Sequence, residues 1–344
     1  MSLEFNITRA QLTALAIPLL SAGGSPTDTY NHDIGFLLLG ACSKAQDPLA
    51  TLHIMSTHYM ALAHHQTSRV STILLPSELF TIRRHLESLA HDQNNAEACA
   101  LLAQFLDHEG KPKKAAQLYQ KAIDLWDISV LSATSNTMAP RIASPWAQYY
   151  LLLQSLNAPK ELCLEVLEKG AEAEDPMSYY HLSTLQNPNS WDWMQYLTRA
   201  AASGHPDAMF DLGEWYISYD PVIKFLDPKL ASYVSWLKPN PKGDKAKDPK
   251  SLTGTAEALG WEWHGLAAKA GNKRSMLRLA KWMVERGQEG AAARWLIKVS
   301  TPRAYSDERD KRFVREGRAM LRGLKEGSKI VKEILEEAAA AARK

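Results

Sequence analysis

The sequence reads as an all-α protein, an α-solenoid of stacked helix–turn–helix repeats closed by a long C-terminal capping helix. Three observations carry this reading. A pattern of small and large residues returns along the chain at a spacing of about 30 residues or near twice that. Glycines punctuate it where one helix should stop, and helix-starting residues follow them. The chain of 344 residues is 45% hydrophobic and 23% charged, enough apolar material for a continuous core.

The clearest unit is "SGHPDAMFDLGEWY", Ser203 to Tyr216. Its counterpart "AGNKRSMLRLAKWM" starts at Ala270, so Gly204 matches Gly271 at an offset of 67 residues. At that offset Met209 meets Met276, Leu212 meets Leu279, Gly213 meets Ala280 and Trp215 meets Trp282. Upstream, Tyr196 meets Trp263, and Ala200 and Ala201 meet Ala267 and Ala268. At an offset of 30, Ala208, Leu212 and Gly213 meet Ser178, Leu182 and Ser183. A further copy opens at Ala96, with Ala98, Leu102 and Ala103 in those places, then Gly110, Ala115, Tyr119 and Ala122. "PWAQYYLLLQSLNAPKELCLEVLEKGAE", from Pro145 to Glu172, is a looser copy.

Helix packing explains the spacing. Small residues at Ala103, Gly213 and Ala280 admit a neighbouring helix, and large ones such as Trp215 and Trp282 fill the groove around the contact. Leu102, Leu212 and Leu279 share the apolar face. Gly204 and Gly271 suit a left-handed cap, and Pro206 suits the first turn of the next helix.

The stretch from Ala96 to Asp127 resembles a tetratricopeptide repeat. The later copies resemble the related Sel-one-like repeat, with "YLTRAAASGHPDAMFDLGEWY" fitting nearly in full. There Tyr196 takes the aromatic position and Arg199 the lysine position. In "WHGLAAKAGNKRSMLRLA", Leu266 replaces lysine and Ala280 replaces glycine. The resemblance covers about residues 96–300 and implies a binding scaffold without catalytic residues. It also implies that the first helix of each pair lines an inner groove. Carrying the repeat phase across the copies places Glu97, Gln104, Tyr150, Gln154, Tyr180, Thr184, Phe210, Glu214, Arg274 and Lys281 there. Aromatics beside hydrogen-bonding groups suit peptide capture, while Tyr150, Tyr180 and Phe210 equally suit packing between repeats.

The map has three parts. Residues 1–95 form an N-terminal helical region of degenerate repeats, with helical patterns at 32–45, 48–65 and 76–91. Residues 96–301 form the repeat array, in pairs at 96–127, 144–173, 176–203, 206–270 and 272–300. The fourth pair holds an insertion at 217–253, whose centre is rich in lysine, proline and aspartate and whose apolar part, Val222 to Trp236, is able to pack on the array. It reads either as a functional face or as a tolerated loop. Residues 302–344 form one long capping helix, weakened by Gly317, Gly323 and Gly327.

Several chemistries find no support. The motifs GxxxxGK[ST], GxGxxG and GxSxG are absent. The three cysteines, Cys42, Cys99 and Cys163, are scattered without a CxxC pair, which argues for buried thiols in a reducing intracellular compartment. The cytoplasm is the default expectation, and the mitochondrial matrix is the alternative should an import segment precede the sequence. The apolar run Leu12 to Leu20 is too short to span a bilayer and lacks the flanks of a signal peptide. His53, His58, His64 and His65 cluster in "HIMSTHYMALAHH", but not at metal-ligand spacing. No catalytic, cofactor or metal residue is assigned.

Net charge is +2. Basic residues concentrate at Lys238, Lys242, Lys245, Lys247 and Lys250 in the insertion and at Arg312, Arg315 and Arg322 in the terminal helix. Interspersed acids make these solvated faces, or else docking surfaces for RNA, an anionic membrane or an acidic protein. The expected function is a non-enzymatic protein-binding scaffold, an adaptor or assembly factor. The alternative is an RNA- or ribosome-associated repeat protein that uses the basic segments.

Overall fold

A computed structural model describes residues 8–21, 26–64, 68–126, 142–218, 228–233, 256–301 and 308–341. All regular structure among them is helical. The chain divides into two compact units, residues 1–166 with 338–344, and residues 167–337.

The first unit contains α1 (Arg9–Ser21), α2 (Pro26–Lys44), α3 (Pro48–Ala63), α4 (Arg69–Ile73), α5 (Pro76–His91), α6 (Ala96–His108), α7 (Pro112–Leu125), α8 (Pro145–Ser155) and the start of α9 (Lys160–Glu172). Helices α1 to α4 pack in sequence, as do α5 to α8, and α3 also reaches α5 and α6. Leu39, Leu52, Leu86, Leu101 and Tyr119 are fully buried in this core. Ala103 is fully buried too, as a contact position requires. Helices α1 and α4 escape a reading from periodicity. The first is apolar without a dominant face and carries Pro18 inside it; the second is a short helix of 5 residues. All three cysteines are buried and free.

The second unit contains α10 (Pro176–Leu185), α11 (Trp191–Ala202), α12 (Pro206–Ile217), α13 (Pro228–Tyr233), α14 (Ala256–Lys269), α15 (Lys273–Glu285), α16 (Glu289–Ser300), α17 (Glu308–Gly327) and α18 (Lys329–Ala341). Each helix from α10 to α12 packs on the next, α12 packs on α14, and the series continues through α17. Met194, Leu197, Leu212, Ala200 and Ala208 fill the core between α11 and α12. Trp261 and Trp282 stack at 4.5 Å in the next layer.

The turns explain why the repeats start and stop where they do. A residue of positive φ ends one helix, and the following side chain caps the next. Gly204 (φ 94°) precedes His205, whose Nδ1 accepts the Ala208 N–H at 3.1 Å. Gly271 (φ 94°) precedes Asn272, whose Oδ1 accepts from Ser275 at 2.9 Å. Glu174 (φ 57°) precedes Asp175, which accepts from Ser178 at 2.8 Å. The first unit repeats the device at Asn94–Asn95 and Gln46–Asp47. The N–H groups of His205 and Asn272 bond back to Ala200 and Ala267, closing the preceding helices in the same way.

One expectation changes. The terminal helix is two helices, α17 and α18, broken at Ser328, which is buried beside Gly327. Glycine's backbone freedom makes that junction one of the helix's weak points. Helix α17 nevertheless covers α15 and α16, as a cap should, with Phe313, Met320, Leu321 and Leu324 on their apolar face. Of the insertion, the structure describes α13, whose Leu230 is fully buried in the core cluster with Tyr216 and Ala256. The rest of 219–255 lies outside the described residues.

Candidate functional site

The first helices of successive pairs in the second unit, α10, α12 and α15, share a polar and aromatic face. It grows from one register. Tyr180 on α10 donates its hydroxyl to Asp211 Oδ2 on α12 at 3.0 Å. Arg274 on α15 is close enough to Asp211 to act on it electrostatically, and its guanidinium lies 3.9 Å from the Phe210 ring centre. One turn on, Arg278 Nε donates to Glu214 Oε1 at 2.8 Å. Burial raises the Asp211 carboxyl above the usual carboxylate range, outweighing the Tyr180 hydrogen bond and Arg274. Burial and the neighbouring Asp211 push the Tyr180 hydroxyl up as well, so it stays a donor at neutral pH.

Of the groove residues expected here, Thr184 and Arg274 are exposed and Tyr180 is half-buried. Phe210 is buried between Arg274 and His264, so it is a packing residue first. Lys281 is engaged from the cap, donating to Glu316 on α17 at 2.7 Å. In the first unit, Gln104 and Tyr150 are buried, Gln154 is exposed and donates to the Tyr150 hydroxyl at 2.6 Å, and burial raises the Glu97 carboxyl.

Periodicity did not single out Asp211, Arg278 or His264. A signal was present: at the 67-residue offset Asp207, Asp211 and Glu214 align with Arg274, Arg278 and Lys281. Equivalent positions of neighbouring first helices carry opposite charge, so the two helices complement each other across the repeat boundary.

One constellation has the composition of a hydrolytic triad. Ser275 Oγ lies 3.4 Å from His264 Nδ1, and Glu214 Oε1 lies 3.0 Å from His264 Nε2. Both His264 and Ser275 are 0% exposed. A nucleophile must meet its substrate, and this serine is sealed beneath the turn that caps α15. Burial holds His264 down at about 4, so it is neutral at pH 7 and serves as a packed polar bridge between α14, α12 and α15.

The other candidates disperse. His53 is buried, His58 stacks on Phe105 at 6.2 Å, His64 ends α3, and His65 lies outside the described residues. Among the described residues no three histidine, cysteine, aspartate or glutamate side chains gather to hold a metal ion. None of the described helices is long and apolar enough to cross a membrane. Lys238, Lys242, Lys245, Lys247 and Lys250 lie outside the described residues, while Arg312, Arg315 and Arg322 are exposed on α17.

Comparison with known proteins gives likeness of architecture alone. No family model and no curated protein matches the chain. Among solved structures it is similar to a Sel1 repeat protein from Oxalobacter formigenes, with a TM-score of 0.43, 16% identity and coverage of 68% of this chain and 88% of that one. It is also similar to a protective antigen of uropathogenic Escherichia coli described as displaying an SLR fold, with a TM-score of 0.30, 16% identity and coverage of 85% and 61%. The paired helices, shared turn geometry and small-residue contact are those of an all-α helical-repeat fold.

Proposed function

We propose that the chain is a non-enzymatic scaffold that binds a protein partner, in the manner of an adaptor or assembly factor. The repeat region 96–301 is its working part, and the face of α10, α12 and α15 is the contact surface. One observation carries this reading: the exposed groups of that face are held by contacts running from helix to helix. Arg274 is pinned over Phe210, and Arg278 is pinned to Glu214. A surface ordered before binding loses little entropy when a partner arrives. The sealed Ser275–His264 pair supports a structural rather than catalytic use of the chain's most suggestive side chains. The buried thiols suit a reducing compartment.

The test is affinity capture with the full chain, run beside Thr184→Arg and Arg274→Glu variants whose melting temperatures match the parent. A protein captured by the parent at high salt and lost with both variants supports the reading. Capture of RNA alone, abolished by salt, overturns it in favour of nucleic-acid binding. Partners unaffected by either variant remove this face from the binding surface.

A further inference from the structure

Helix α17 turns two of its acids toward the array: Asp310 lies 3.4 Å from Lys273 Nζ, and Glu316 lies 2.7 Å from Lys281 Nζ, while Glu326 is exposed. A row of bases lies on another side. Arg315, Arg318, Arg322 and Lys325 follow one another at steps of three, four and three residues, which puts them on one helical face about 15 Å long. All four are exposed, and none forms an ion pair among the described residues. Between α17 and α18 this stripe borders an open cavity of about 450 Å³ lined by Arg318, Leu321, Arg322, Lys325 and Leu335. The cavity thus has leucines within, cations along one rim and no carboxylate in its lining. Its volume falls in the range of pockets that hold a side chain or a small ligand.

We propose that this trough docks an acidic peptide segment of a partner protein, with an apolar anchor residue set between Leu321 and Leu335 and carboxylates meeting Arg318, Arg322 and Lys325. The occupant's class follows from complementarity. Four unpaired cations in a row call for several anions at once. The leucines call for an aliphatic or aromatic side chain, which a phosphate backbone does not supply. The lining contains no aromatic ring on which a base could stack, as single-stranded nucleic-acid sites use. The trough is separate from the face of α10, α12 and α15, and it rests on the protein-binding reading only for the kind of partner.

The experiment uses the full chain and three fluorescent probes read by anisotropy. One is a twelve-residue glutamate-rich peptide with two leucines four positions apart. The second has both leucines replaced by serine. The third is a twelve-nucleotide oligouridylate. The leucine peptide should bind at least ~10-fold more tightly than the serine peptide, since burying even one leucine is worth that factor. Arg318→Glu with Arg322→Glu should weaken it by a further ~10-fold or more without moving the melting temperature, because both side chains are exposed and unpaired. Leu335→Ser should weaken the leucine peptide and leave the serine peptide unchanged. Equal binding of the two peptides, tighter binding of the oligouridylate, insensitivity to the arginine variants, or no binding at about 100 µM would each overturn the proposal. Peptide binding that survives Thr184→Arg and Arg274→Glu, while partner capture does not, would show that the two surfaces act independently.

Discussion

Gly213 and Gly260 face each other where α12 meets α14, and neither has room for a side chain. A Cβ at Gly260 would stand 2.7 Å from the Gly213 carbonyl oxygen and 2.5 Å from Ile217 Cγ1. One at Gly213 would stand 3.0 Å from the Gly260 carbonyl and 3.2 Å from the His264 ring. Gly213→Leu should therefore destabilise by overpacking, by about 1–3 kcal/mol or more. Gly260→Ala should also destabilise, although alanine is the better helix former. Gly265, on the same helix, is the control: a Cβ there meets nothing within 4 Å. Gly265→Ala should stabilise by up to about 1 kcal/mol. Chemical denaturation of the three variants checks this, and an unchanged midpoint for Gly213→Leu would remove the close contact.

Acid should unfold the protein earlier than its surface charge suggests. His264 titrates at about 4 in the fold against an ordinary value of 6.5, with burial the main cause. Burial also lowers His58, His85, His181 and His205. Between those values the unfolded chain binds more protons than the folded one, so stability falls as pH drops from about 6.5 toward 4 and is fully present above 6.5. His264 alone accounts for up to roughly 3 kcal/mol of that loss. The half-buried Asp211, shifted upward, works in the opposite direction at the acid end. Urea unfolding at pH 7.5 and 4.5 should show the loss, and His264→Gln should flatten it.

Glu174 holds a left-handed backbone at φ 57° in the position that glycine takes before His205 and Asn272. Glu174→Gly relieves that strain and should raise stability by about 0.5–1 kcal/mol, net of the extra freedom that glycine gives the unfolded chain. The reverse change, Gly204→Ala, should lower it by about 1 kcal/mol. Thermal melts of both variants would decide the matter. A loss in Glu174→Gly would mean that the side chain, not the backbone, is what the turn needs.

The Glu214–Arg278 pair should contribute modestly. Both side chains remain more than a third exposed, at 38% and 37%, so solvent screens the attraction. A double-mutant cycle of Glu214→Ala and Arg278→Ala should return a coupling of about 0.5–1 kcal/mol that shrinks with added salt. A salt-independent coupling would point instead to His264, which shares Glu214.

The array was legible in the sequence because its turns are written in local chemistry. Gly204 and Gly271 take φ of 94°, as a left-handed cap requires, and Leu102, Leu212 and Leu279 are buried as the shared face requires. Gly213 was readable as a contact position, but its partner was not. Gly260 stands on the far side of the insertion, and a single glycine in a helix carries no mark of what it touches. His264 looks like any polar residue until three helices close over it. The break at Ser328 is a choice among several weak points, and the helix propensities of Gly317, Gly323 and Gly327 do not rank them. The basic row on α17 was hidden because its residues are spaced by three and four along the chain and line up only when wound at 3.6 residues per turn.

The Gly213–Gly260 contact lies at the heart of the most extensive helix pairing in the second unit, yet the two helices are separated by the longest interruption in the array. Loop-closure cost grows only slowly with length, so a junction pinned in this way tolerates a longer connection between its two helices. That joint is a natural port where evolution, or an engineer, can splice in a new module while the repeats on either side keep their registry.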